Sequence, residues 1–156
     1  MEIDAQQLKQ NILSDVKVKL TAEFDRNFER KAFFSDKWKR RANPNAKGSL
    51  LMVTGTLRRS IRSEVRGNGV RFSSAVPYAV VHNEGGKIPQ NVRAHSRKGK
   101  NGKYHRVKAH HRTLNMPQRQ FVGDGKDTRK IINEVINKNL DKFAKQLENR
   151  LKQNSK

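Results

Sequence analysis

Residues 50–86 read LLMVTGTLRRSIRSEVRGNGVRFSSAVPYAVVHNEGG, and the local signals in this stretch decide the fold. The central signal is Gly67-Asn68-Gly69, whose residues tolerate the positive φ that a tight hairpin turn requires. Apolar and polar residues alternate after this turn, as they do in a half-buried strand. The pattern therefore predicts an antiparallel hairpin with strands at 61–65 and 70–74.

A short helix is predicted on each side of this hairpin. Before it, the Thr54 hydroxyl can accept a hydrogen bond from an unpaired N–H group of a first helical turn, and that helix would carry Leu57 and Ile61 on one side. After it, Pro77 suits the first turn of a helix and the pair Gly85-Gly86 suits its end. We therefore expect residues 50–86 to form a helix–hairpin–helix unit.

Both ends of the chain carry long amphipathic patterns, which predict helices over residues 1–31 and 127–153. In the first, apolar residues recur at every fourth position without Gly or Pro, so the apolar line winds around the helix and should contact more than one neighbour. Two interpretations of the first helix are open: a core helix of the same chain, or an element that also packs on an adjacent subunit. The second helix begins near Asp127, an acidic residue that suits a helix start.

The chain is strongly basic, since its 156 residues carry a formal net charge of +21 and its pI is near 10.9. This balance predicts binding to a polyanion or burial against an acidic partner. Only 33% of the residues are hydrophobic, so core area is scarce and part of the chain should project as arms or loops. The length is that of one ordinary domain, and we expect residues 1–156 to form a single domain.

A long basic loop is predicted over residues 87–115. No acidic residue occurs between Glu84 and Asp124, and the stretch is typical of a projecting loop or hairpin with its tip near residues 98–103. Three roles are open for it: contact with nucleic acid, contact with an acidic protein surface, or an unstructured solvated tip. The residues expected to make a partner or DNA contact are Arg93, Arg97, Lys98, Lys100, Lys103, Arg106, Lys108 and Arg112.

Residues 32–49 place Phe33, Phe34 and Trp38 among basic residues in a segment with turn signals. Interleaved aromatic and basic side chains can stack on bases while they hold phosphates. The same aromatic side chains can instead cover the small core while the charges stay in water. We favour the core interpretation.

The sequence argues against an enzyme, a metal site and a cofactor. The chain has no cysteine, which excludes disulfides and thiolate chemistry. Four of the five histidines lie in the basic loop, which offers no carboxylate to complete a metal site. Metal-dependent nucleases gather two or more carboxylates, whereas the central region has only Glu64 and Glu84. The remaining histidine, His82, is expected to be buried and bonded to a backbone carbonyl.

Three motifs match the order and spacing of a known family. LMVTGTLRRSI at 51–61, PYAVVHNEGG at 77–86 and MPQRQFVGD at 116–124 resemble the landmarks of the tailed-phage virion-morphogenesis, or tail-completion, family. Val53 stands where that family often has Asp. The resemblance implies subunit contacts or structural roles for Thr54, Gly55, Leu57, Tyr78, His82, Gly85, Gly86, Pro117, Arg119, Phe121 and Gly123.

The patterns together predict an α+β fold. A small antiparallel sheet, built from strands 61–65 and 70–74 and the segment around Phe121, would be flanked by the long terminal helices, with the basic loop projecting. Arg119 is expected to pair with Glu84 or with a neighbouring chain. In the family that the motifs resemble, the segment around Phe121 is a subunit-contact strand.

The resemblance implies a structural phage protein of the neck or tail-completion type. It would form an oligomeric ring, with a hexamer favoured, and join the tail to the DNA-filled head. The expected partners are neighbouring head-connector and tail proteins, with packaged DNA as a further candidate, and the alternative is a stand-alone basic nucleic-acid-binding protein. We expect a virion location after assembly in the host cytoplasm and no membrane association, because no apolar run approaches the roughly 20 residues of a membrane helix.

Overall fold

A computed structural model describes residues 5–43, 45 and 47–154. Long helices stand at both ends of the chain, with short strands and helices between them, which confirms the α+β prediction. Residues 1–4, which the first predicted helix included, lie outside the described residues. The elements are α1 (Ala5–Arg30), β1 (Ala32–Phe33), β2 (Asp36–Lys37), α2 (Thr56–Ser60), β3 (Ile61–Arg66), β4 (Gly69–Ser74), α3 (Ala79–Glu84), β5 (Gly86–Val92), β6 (His95–Lys98), β7 (Tyr104–Val107), β8 (His110–Met116) and α4 (Lys126–Asn154).

The predicted central hairpin is present as β3 and β4. Its last pair is Arg66 with Gly69, so Gly67 and Asn68 alone form the turn, and Gly67 has a φ of +59°. Both predicted flanking helices are also present as α2 and α3. The prediction for Pro77 was wrong: it lies in a turn closed by the N–H of Ala79 and the carbonyl of Val76, 3.0 Å apart, and α3 begins only after that turn.

Helix α1 packs against α4 and against β1, β3 and β4, so the prediction of more than one neighbour is confirmed. The two helices run antiparallel: Leu20 lies beside Ile132, and the Asn139 amide donates to the Asp15 carboxylate at 3.0 Å. One core cluster, between these helices and the hairpin, contains Val16, Leu20, Phe24 and Phe33. A second, at the other end of α1, contains Phe28, Trp38, Leu57, Ala79 and Phe121.

The segment around Phe121 is not a strand, and the prediction that it joins the sheet was wrong. Among the described residues, β3 and β4 pair only with each other. The segment instead crosses the core as irregular chain, and side chains satisfy its backbone groups. The buried Asn27 amide donates to the Phe121 carbonyl at 3.1 Å, while the Asn83 side-chain oxygen accepts from the N–H groups of Phe121 and Val122 at 2.9 and 3.1 Å.

One further side chain holds this segment, and Asn27 makes a second bond that connects it to Phe34. The Trp38 indole N–H donates to the Gln120 carbonyl at 2.6 Å, and the Asn27 side-chain oxygen accepts from the Phe34 N–H at 2.9 Å. Buried backbone groups need partners, and here the side chains of Asn27, Trp38 and Asn83 replace the hydrogen bonds of a strand ladder. Nothing in the local sequence of the segment shows this substitution.

Residues 31–38 form a tight hairpin that the sequence did not predict. The N–H of Trp38 donates to the carbonyl of Lys31 at 2.9 Å, and Phe34 takes a φ of +53° in the turn. Phe33 and Trp38 are each only 8% exposed, which leaves neither ring free to stack on a nucleic acid base. The core interpretation of these aromatic residues is confirmed.

We predict that Asn27→Ala lowers the free energy of unfolding by about 2 to 4 kcal/mol, because it leaves the Phe121 carbonyl and the Phe34 N–H buried without partners. Urea denaturation followed by circular dichroism measures this. The control is Asn133→Ala on the exposed face of α4, which should be neutral or slightly stabilising. Equal effects of the two substitutions would contradict the bridging role of Asn27.

Candidate interaction surfaces

Residues 86–116 form one antiparallel ribbon, which we call the arm. Its inner part pairs β5 with β8, from Gly86 opposite Met116 to Val92 opposite His110. Its outer part pairs β6 with β7, from His95 opposite Val107 to Lys98 opposite Tyr104. At the rise of a β-strand, the ribbon is about 40 Å long. The chain expected to be a projecting loop or hairpin is therefore a hairpin, with its tip at residues 99–103.

No residue of the arm is buried, although Ile88, Val92, Val107, Leu114 and Met116 are partly covered. Its principal contact outside itself is with α3, at its base. All eight basic residues predicted to contact a partner lie on it, and all are exposed: Arg93, Arg97, Lys98, Lys100, Lys103, Arg106, Lys108 and Arg112. The structure thus gathers these charges on one projecting element, held away from the core.

Two unpaired residues on each strand, 93–94 and 108–109, separate the inner and outer parts, and we call this break the joint. A histidine on each strand marks it. The Nδ1 atoms of His95 and His110 lie 2.8 and 2.9 Å from the carbonyls of Arg93 and Lys108. Because a carbonyl only accepts, each Nδ1 carries the proton.

The tip is closed by backbone bonds. The Gly99 N–H donates to the Lys103 carbonyl at 2.8 Å and the Gly102 N–H to the Gly99 carbonyl at 3.1 Å. A Cβ at position 99 would lie 2.7 Å from Nε2 of His105, and Gly102 has a φ of +79°. The side chains of Lys100 and Lys103 take no part in these bonds, so charge can be removed there without opening the turn.

We call the part of the chain outside the arm the body. The motif residues described next lie in its core or at the ends of its short helices. Leu57 is 3% exposed in the core, and Gly55 holds a φ of +71° before α2. The Thr54 hydroxyl accepts from the N–H of Thr56 at 3.4 Å, so the predicted contact with the first helical turn is present but long. Gly85 ends α3 with a φ of +77°, and a Cβ on it would come within 2.8 Å of the Gln118 amide.

His82 lies between Tyr78 and Arg119. The Tyr78 ring meets it edge to face at 5.8 Å between centroids. Its Nδ1 is buried and has no hydrogen-bond partner among the described residues, so the predicted bond to a backbone carbonyl was wrong. Instead, the His82 carbonyl accepts from the Arg119 N–H at 2.8 Å. Burial, and then the charge of Arg119, lower the pKa of His82 below its ordinary value.

Arg119 is 5% exposed and faces backbone oxygens. Its guanidinium donates to the carbonyls of Lys39 and Arg40 at 3.0 and 3.3 Å, so the predicted pairing with Glu84 is not formed. The side chain thereby ties the segment after Pro117 to the chain after Trp38. The pairing with a neighbouring chain, predicted as the other option, is disfavoured because the side chain is already enclosed.

Three neighbouring apolar cavities lie beside β4, which pairs only with β3 among the described residues, and we call them together the groove along β4. Its first cavity, about 410 Å³, lies between α1, the start of β4 and α4, and Val70 and Ile132 line it. A second, about 390 Å³, shares these two residues and continues to Phe72 and Val122. A third, about 160 Å³, shares Phe72 and Val122 and ends at α3. An unpaired strand edge beside an apolar groove is a surface suited to pairing with another chain.

The three motif segments therefore lie almost entirely outside the arm, and the eight basic residues predicted to contact a partner lie on it. Residues 26–141, more than half of the chain, match the phage virion morphogenesis family. The protein belongs to this family. Comparisons with curated proteins and with solved structures give no match. Membership assigns a structural role in the phage virion. The matched region includes the whole arm, β4 and the start of α4, but not the residues of α1 that line the groove.

In this phage virion morphogenesis protein, an ion-pair cluster that the sequence did not reveal joins α1 to α2. The Arg58 guanidinium forms a two-pronged pair with the Asp25 carboxylate and reaches Glu29 at 2.7 Å. Its hydrogen bonds, and then its charge, hold the pKa of Asp25 below the usual value. A spacing of four between Asp25 and Glu29 was the available signal, since it places both acids on one face of α1.

Within the described part of the chain, no group of three or more acidic or histidine side chains is arranged to hold a metal ion. None of the described helices has a stretch long and apolar enough to cross a membrane.

We predict that His82 makes the fold less stable as the pH falls below 6.5, its ordinary pKa. Its pKa is lower in the folded protein, so the unfolded chain takes up the proton first; stability is full above pH 6.5 and declines toward the folded-state pKa. His82→Gln should remove this component between pH 7.5 and 5.5 in urea denaturation. The control, His105→Gln on the exposed arm, should keep it, and a parallel decline in all three proteins would refute the assignment.

Proposed function

We propose that this family member is a neck or tail-completion protein that forms a closed ring, hexameric by family resemblance, between the tail and the DNA-filled head. Membership in the phage virion morphogenesis family carries the proposal. The proposed role is binding without catalysis or a cofactor. The ring would contact head-connector and tail proteins on its two sides, and the arm would reach beyond the ring to a partner.

The groove along β4 supports self-association. It offers a partner both unpaired backbone groups of β4 and an apolar wall from α4, including Ile132 and Ile136. A contact between different surfaces of identical subunits closes into a ring when the rotation between them is a simple fraction of a turn. The proposed subunit interface is therefore heterologous, with the groove on one side.

The charge of the protein supports assembly with an acidic neighbour. The net charge of +21 resides on an 18.0 kDa chain, so an isolated subunit repels itself and its copies. Several of the acids in the body are already neutralised by arginines, as Asp25 and Glu29 are by Arg58. The arm keeps its charges unpaired and is the element best placed to bind a polyanionic or acidic partner.

The alternative is a stand-alone nucleic-acid-binding protein, which the arm alone would also suit. The two proposals differ in the mass of the protein in solution, because a ring requires a discrete oligomer and the alternative does not.

We predict that light scattering of the purified protein, alone or with extract from the assembling host, gives one discrete ring-sized species. Ile136→Asp, which places a charge in the groove, should lower the mass to that of the subunit. Val53→Asp is the control, because Val53 is 66% exposed and lies away from the groove. A strict monomer under all conditions would refute the ring, and an unchanged mass for Ile136→Asp would refute the groove as its interface.

We also predict that the outer part of the arm, together with the joint, is dispensable for folding and required for particle assembly. Replacing residues 93–109 by Asn-Gly closes the inner ribbon with a two-residue turn at the pair Val92–His110. The unfolding free energy should change by less than about 1 kcal/mol, since no buried residue is removed. In a complementation assay, this variant should yield heads and tails that fail to join. Full yields of complete particles would show that residues 93–109 make no required contact.

A further inference from the structure

The outer part of the arm, residues 95–107, has an arrangement of charge that its sequence alone does not show. Residues paired across a ribbon share a face. Lys98 and Arg106 therefore lie on one face with Ser96 and Tyr104, while Arg97 lies on the opposite face with His105. Lys100 and Lys103 complete the set at the tip. Basic side chains thus lie on both faces of the outer ribbon and at its tip.

We propose that this outer ribbon is a duplex-DNA-binding element that enters the major groove. The proposal names the partner of the arm within the proposed function. The major groove is about 12 Å wide and admits a two-stranded ribbon, and a ribbon within it has a phosphate backbone on each side. Positive charges on both faces and at the tip of the ribbon match the phosphates on both sides of the groove. A docked protein surface, in contrast, would meet only one face of the ribbon.

The composition of the outer ribbon favours DNA over an acidic protein. A stable protein interface has an apolar core, usually with aromatic anchors. Here the outer ribbon offers only Val107, which is partly covered, and Tyr104, which is 74% exposed. Binding would rest on charge, which phosphates supply at one per about 1.7 Å of duplex. No acidic residue occurs from 85 to 123, so no carboxylate in this stretch repels the phosphates.

The fold of the ribbon presents these side chains without engaging them. The tip is closed through the backbone of Gly99 and Lys103 and through the Asn101 side chain, which accepts from the Lys103 N–H at 3.1 Å. Among the described residues, Arg97, Lys98, Lys100, Lys103 and Arg106 form no ion pair within the chain. Their charges are free for phosphates.

The test measures binding of the purified full-length protein to a random 20-base-pair duplex by fluorescence anisotropy, over a range of salt concentrations. Each phosphate contact adds about 0.9 to the slope of log affinity against log salt. The variant Arg97→Gln, Lys98→Gln, Lys100→Gln, Lys103→Gln should lower the slope by about 3 to 4. The matched control, Lys138→Gln, Lys142→Gln, Lys145→Gln, Arg150→Gln, removes equal charge from exposed positions on α4 and should lower it by less than about 1.

Equal losses in the two variants would overturn the proposal, because they would show attraction by net charge alone. Absence of duplex binding by the native protein would also overturn it, and a normal duplex affinity in an arm variant that fails in particle assembly would assign the arm to a protein partner. A further probe is a duplex with glucosylated hydroxymethylcytosine, whose glucose groups fill the major groove. The protein should bind this duplex at least about tenfold more weakly, because the loss of a single groove contact already has an effect of this size. Unchanged binding to that duplex would place the arm outside the groove.

The ring is tested separately. If the protein does not bind the duplex, the mass of the oligomer and the joining of heads to tails can still be measured, and they still test the ring. Failure of the ring, with a steep salt slope and a specific loss in the arm variant, would leave the DNA-binding element standing alone.

Discussion

The hydrogen bonds of Asn27 and Asn83 to the segment around Phe121 hold the body together. They fix an irregular segment between α1 and α3, where Phe121 fills the core and is only 2% exposed. Each bond replaces one that a β-ladder would have supplied, so the segment can cross the core without a partner strand. The position of α4 follows from this, because its first residue comes only a few residues after the segment leaves the core.

The arm and the rest of the chain differ in how their polar side chains are bonded. In the body, buried polar groups are largely satisfied by the chain itself: Arg119 by the carbonyls of residues 39 and 40, and Trp38 by that of Gln120. On the arm, the basic side chains form no ion pair among the described residues, although Arg112 donates to the Gln90 side chain at 2.7 Å. The arm carries nine of the 35 lysines and arginines and no acidic residue, so part of the self-repulsion of the chain lies on an element that contributes little to the core.

Local signals predicted the parts of the fold that depend on neighbouring residues. Gly67 and Asn68 form the turn because positive φ is a property of the residues there, and the long helices follow from apolar periodicity. The segment around Phe121, the bonds of Arg119 and the open Nδ1 of His82 were mispredicted, since each depends on residues distant in the chain. Asn27 carried an available signal: it follows Leu20 by seven residues and so lies on the apolar face of α1.

The joint of the arm has a consequence for symmetry. The joint has two residues on each strand, 93–94 and 108–109, so the register of the ribbon continues across it. Because these residues are not paired with each other, a bend at the joint breaks no hydrogen bond between the strands. Subunits of a closed ring are equivalent by rotation, whereas a DNA helix offers each of them a groove at a different height and angle. Rigid arms could satisfy that mismatch for only some subunits. In the proposed ring, an arm that turned at its joint would let identical bodies meet a DNA partner that does not share their symmetry.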